Sequence, residues 1–105
     1  MKQPDKFKLF SILSMTKVLL NRSKEEGFPA EEPKEAEKMI DEIIDCLYFD
    51  SKKSLPEYWS ILYAPTGSIQ EISIANGWGD AFLKLAGDYD SLEYLLKKYE
   101  KENPN

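Results

Sequence analysis

Histidine is missing from all 105 residues of the chain. Its absence removes Ser-His and Cys-His nucleophile pairs, the commonest general base and the usual zinc ligand. One cysteine, Cys46, leaves no intrachain disulfide. It sits in an apolar helical pattern beside Asp45, a setting that does not activate a thiol, so it reads as a passive core residue. There is no D-x-D-x-D-G loop to hold calcium and no glycine-lysine phosphate loop. No apolar run approaches the roughly 18 residues that cross a bilayer. The stretch Met1-Lys-Gln-Pro-Asp-Lys lacks the apolar region and cleavage site of a signal peptide. The expectation is a cytoplasmic chain without membrane, metal or cofactor.

What is present is a globular composition, 42% hydrophobic and 31% charged. It suits one domain over residues 1–105. The net charge of −5 is unevenly spread. Residues 1–24 carry six Lys/Arg against one Asp, whereas residues 25–50 carry ten Asp/Glu against two Lys. An acidic chain is a poor match for a phosphate backbone, so nucleic acid is not expected as a partner. A basic protein surface is a better one.

The hydrophobic spacing predicts an all-α fold, an irregular bundle of five to six helices. The first helix is expected over Asp5–Glu26, with Leu9, Ile12, Leu13, Thr16, Leu19 and Leu20 as its stripe, Phe10 and Val18 widening it, and Gly27 ending it. The second starts near Pro33, with Ala36, Met39, Ile40, Ile43 and Leu47 facing inward. Ser54-Leu-Pro-Glu57 has the spacing of a capping box and predicts a short aromatic helix through Tyr58 and Trp59. Ser68-Ile-Gln-Glu71 repeats that spacing before a helix closed by Asn76-Gly77. There, Ile72-Ser73-Ile74 also alternates as a strand would, which leaves a short strand as the alternative. A short helix over 81–86, a turn at Gly87-Asp-Tyr-Asp and a last helix from Asp90 complete the series.

Three features carry functional readings. The first is the acidic block Glu31, Glu32, Glu35, Glu37, Asp41, Glu42 and Asp45 on or before the second helix, of which Glu31, Glu35, Glu42 and Asp45 cluster along one exposed side with Lys38 among them. Like charges at these spacings cost helix stability, and a need for negative potential would explain them. The plain alternative is a solvated helix face. The second is the aromatic set of Tyr58, Trp59, Tyr63, Trp78, Phe82 and Tyr89. Trp59 and Phe82 read as core, whereas Trp78, between two glycines, is equally a binding anchor. The third is Thr66-Gly67-Ser68, which could hold an anion at a helix start or simply form a cap. Carboxylate pairs such as Glu71 with Asp80 or Asp88 with Asp90 lack further groups to organise a reaction, so no enzyme is expected.

The segment APTGSIQEISIANGWGDAFLKLAGDYD, Ala64 to Asp90, resembles small bacterial toxin-immunity proteins, including those of contact-dependent growth inhibition systems. The likeness covers about a quarter of the chain. It implies a dedicated cytoplasmic inhibitor that binds a cognate toxin domain and blocks its active site. Many such toxins are nucleases with basic clefts. With the composition, this gives a monomeric binder whose contact residues are Glu31, Glu35, Asp41, Glu42, Asp45 and Trp78. The alternative is a helical structural or regulatory module that self-associates without catalysis.

Overall fold

A computed structural model describes residues 3–24, 33–49, 52–64 and 67–103 of the chain. Gly27, Phe28, Glu31, Glu32 and Thr66 lie outside the described residues. Four α-helices occur among those described: α1 (Gln3–Arg22), α2 (Pro33–Tyr48), α3 (Ser68–Ala75) and α4 (Gly79–Glu102). One 3-10 turn, Trp59–Ile61, lies between α2 and α3. None of these helices is long and apolar enough to cross a membrane.

The all-α expectation holds, but the count of five to six helices does not. The turn expected at Gly87 is the interior of α4. Phe82, Leu85, Tyr89, Leu92 and Leu96 are all buried, and their i, i+3, i+7, i+10, i+14 phase runs through the glycine unbroken. Burial of that stripe outweighs the ~1 kcal/mol cost of one helical glycine. Asp90 is accordingly mid-helix and caps nothing.

The helix expected after Ser54 is reduced to the single 3-10 turn. The backbone carbonyls at the expected helix start, ahead of that turn, are taken by side chains from neighbouring helices. The Cys46 thiol donates to the carbonyls of Lys53 (3.4 Å) and Ser54 (3.7 Å). The Tyr99 hydroxyl also donates to Lys53. Only a short i→i+3 turn then closes, with Trp59 N–H donating to the Pro56 carbonyl at 3.1 Å.

The first helix ends before Gly27. Ser23 donates through Oγ to the Leu19 carbonyl (2.9 Å) and through its amide to Leu20 (3.0 Å). The Lys24 amide turns away to Asn76 Oδ1, 2.9 Å distant.

Residues 72–74 are helical, so the strand alternative fails. The α3 terminus is a Schellman motif. Trp78 N–H donates to the Ser73 carbonyl (2.8 Å) and Gly77 N–H to that of Ile74 (3.3 Å), with Gly77 at φ +81°. At the start of α3 the cap position is Gly67, with no side-chain capping bond.

α1 runs antiparallel to both long neighbours. Lys17 pairs with Asp41, and Tyr48 donates to the Lys6 carbonyl at 2.8 Å, which sets α2. Tyr94 with Asp5 and Trp78 with Ser23 set α4. The core closes with Leu55, Trp59, Leu62 and Tyr63 from the connector and Ile69 and Ile72 from α3. At its centre Tyr63 stacks on Tyr89 at 4.2 Å between ring centroids.

Candidate partner-binding surface

α2 begins at Pro33, whose missing N–H costs nothing in a first turn. Ala36, Ile40, Ile43, Ile44 and Cys46 are buried. At about 100° per residue, that places Glu35, Lys38, Glu42 and Asp45 on the opposite side. All four are exposed. Phe49, 68% exposed, follows directly after the helix end. Among the described residues, no lysine or arginine lies within ion-pair distance of Glu35, Glu42 or Asp45.

Glu42 and Asp45 also edge a cleft of about 300 Å³, with Cys46 in its lining and Lys53 and Ser54 opposite. A basic side chain entering there would meet two carboxylates. The cleft follows from the bonds that hold residues 53–54 against Cys46.

The other expected contact residues are placed differently. Asp41 is half-buried at the α1–α2 seam, its Oδ1 2.6 Å from Lys17 Nζ. The bond to Asp41 raises the lysine's pKa, against a smaller lowering by desolvation. Asp41 thus serves helix pairing. Glu37, beside it, accepts from Asn21 Nδ2 at 3.4 Å.

Trp78 is half-buried and packed on the core. Its indole N–H donates to Ser23 Oγ at 3.0 Å. With Asn76 receiving the Lys24 amide, it ties the α3–α4 corner to the end of α1. It is a clamp between elements, not part of the α2 face. Trp59 and Phe82 are core, as their spacing predicts; the Trp59 indole N–H donates to Glu100 at 3.0 Å.

Sequence reasoning missed two surface features. One is Phe49 at the end of the acidic face. The other is the outward side of α1, where Phe7 and Met15 join Phe10 and Val18. These last two do not widen the buried stripe; they are 39% and 49% exposed. The signal was present, because 7, 10, 11, 14, 15 and 18 recur at helical spacing in antiphase to the core stripe.

No three His, Cys, Asp or Glu side chains among the described residues are grouped to hold a metal ion. Asp88 reaches towards Lys8 at 3.9 Å. Glu93 has a raised pKa, from partial burial first and then from Asp90.

These features define an irregular all-α bundle with a charged helix face and a shallow adjoining cleft. In comparison with known proteins, the chain matches no family model, no curated protein and no solved structure. A functional reading therefore rests on its own residues.

Proposed function

We propose that this chain is a non-catalytic binding protein, an immunity-type inhibitor that covers the basic active-site cleft of a cognate toxin domain with the acidic face of α2. The observation that carries the reading is the row Glu35, Glu42 and Asp45, exposed and, among the described residues, without ion-pair partners, on a helix anchored by its buried side. A helix holds the backbone positions of such charges in fixed geometry, so only their side-chain rotamers need ordering on binding. Phe49 supplies an apolar contact at the end of the row, the kind of residue that forms an interface hot spot. The cleft beside Glu42 and Asp45 suits a lysine or arginine of the partner. The resemblance over Ala64–Asp90 supports the toxin class of partner, and the histidine-free composition supports occlusion over chemistry.

Affinity capture from the native host, read by mass spectrometry, tests this reading. Recovery of one toxin, or its terminal domain, at near-equal stoichiometry supports it. Recovery of this chain alone contradicts it.

The apolar outward side of α1 favours a second reading, a self-associating helical module. Capture of no protein other than this chain would favour that second reading.

A further inference from the structure

We infer that the outward face of α1 is a homodimer interface, in which two copies of α1 pair antiparallel about a two-fold axis passing between Ile12 and Leu13. This goes beyond the partner assigned to α2 and uses a different helix, so either can fail alone.

α1 already fills its place in the core with Leu9, Ile12, Leu13, Thr16 and Leu20. On its other side Phe7 is 69% exposed and Met15 58%, flanked by half-exposed Val18 and by Phe10, whose ring already packs edge-on against Tyr48 at 5.1 Å. Single exposed apolar residues are ordinary, but two apolar pairs on one face of one helix, joined through small serines, mark an interaction surface.

The order of residues selects the occupant. Along the stripe it reads Phe7, Phe10, Ser11, Ser14, Met15, Val18: two apolar, two serines, two apolar. It is the same from either end. An isologous contact requires such a pattern, because each residue meets the symmetry mate of its counterpart. In antiparallel register, Phe7 lies at the height of Val18 of the partner subunit, and Ser11 at that of Ser14 of the partner subunit. Phe10 and Met15 close the flanks. Small serines at the midpoint let the helix axes approach to the ~8 Å end of the usual range.

Charge does not oppose the pairing. Of the cations bordering the stripe, Lys8 and Lys17 each face a carboxylate of their own protomer, Asp88 at 3.9 Å and Asp41 at 2.6 Å. Arg22, exposed one turn beyond Val18, lies in antiparallel register at the opposite end of the stripe from Arg22 of the partner subunit, so these two cations stay apart. An acidic peptide or anionic membrane would have to compete with those carboxylates. The exposed parts of the four side chains offer roughly 400 Å² per copy. With the polar rim the contact reaches about 1,000 Å² in total, the low end for a specific interface. A contact of that size fits a reversible dimer.

Light scattering across a concentration series, with cysteine crosslinking, tests the inference. The native chain should rise from 12.1 kDa towards twice that mass. F7D/V18D, altered only at exposed positions, should keep its helical circular dichroism and Tm and stay at the monomer mass. S11C mixed with S14C should oxidise to the mixed disulfide in preference to either homodisulfide, while buried Cys46 does not take part. A native chain that is monomeric at millimolar concentration overturns the inference. A dimer that survives F7D/V18D, or crosslinks without preference for the mixed pair, overturns it too. Co-sedimentation of a strictly monomeric chain with anionic vesicles would give the stripe to lipid, and also overturns it.

Discussion

Thr16 and Tyr63 show how a polar pair is accommodated in an apolar core of this size. Tyr63 donates to Thr16 Oγ1 (2.7 Å), which donates in turn to the Ile12 carbonyl (2.7 Å). Both residues are buried, and no buried side-chain polar atom among the described residues is left without a partner. T16V strands the Tyr63 hydroxyl and should cost about 1–3 kcal/mol in denaturant unfolding, whereas Y63F should cost about 1 kcal/mol. The double variant T16V/Y63F should be more stable than T16V, because nothing polar is then stranded. If the two effects simply add, the hydroxyl pair is not coupled.

The tyrosines also set an alkaline limit. Burial pushes the hydroxyl of Tyr48 up to about 12, and desolvation moves Tyr63 and Tyr89 upward as well. A folded-state pKa above the unfolded value gives stability that is full below the unfolded value, near 10, and is lost as pH rises through the folded one. Base unfolding should therefore begin above about pH 10, with tyrosinate absorbance from these residues appearing together with loss of helical dichroism. Ionisation of all tyrosines ahead of unfolding would contradict their burial.

Glycines mark the difference between what local sequence and what packing determine in the elements. Gly77 sits at φ +81° in the Schellman motif, and G77A should destabilise by about 1 kcal/mol. Gly87 lies in the middle of α4 with open space around its missing Cβ, so G87A should stabilise by about 0.5–1 kcal/mol and raise Tm. A loss of stability in G87A would mean that α4 is interrupted there. Both glycines looked like punctuation in the sequence; only Gly77 is.

The Ser54–Glu57 spacing misleads for a related reason. A capping pattern is local, whereas Cys46 and Tyr99 bind the Lys53 carbonyl from other helices. The stripe of α2 was legible because its hydrophobic and acidic residues segregate cleanly by phase, and its exposed row Glu35, Glu42 and Asp45 follows directly. Helical phase already sets Asp41 off that row, but that it serves the seam was not legible, because its partner Lys17 lies across on α1. Trp78 was equally opaque, since Ser23, its hydrogen-bond partner, lies 55 positions away.

At the scale of the whole molecule, the separation of charge along the chain becomes a separation in space. The basic first segment is partly neutralised where Lys8 and Lys17 meet Asp88 and Asp41. Among the described residues, Glu35, Glu42 and Asp45 on α2 stay exposed and outside ion-pair distance of a cation, with Lys38 among them. Exposed charges of this kind contribute little to stability, so E35K/E42K/D45K should unfold within about 1 kcal/mol of the native chain. On the proposed function their contribution is to association with a basic partner, and it should weaken as salt is added.

The most direct test measures association kinetics between the partner recovered by capture and either the native chain or E35K/E42K/D45K, at low and at physiological salt. The native chain should bind with an association rate that falls steeply with ionic strength. The folded variant should lose about 100-fold in affinity, mostly in that rate. Unchanged affinity in a folded variant, or an association rate indifferent to salt, would contradict the account and leave the acidic side of α2 as solvated surface.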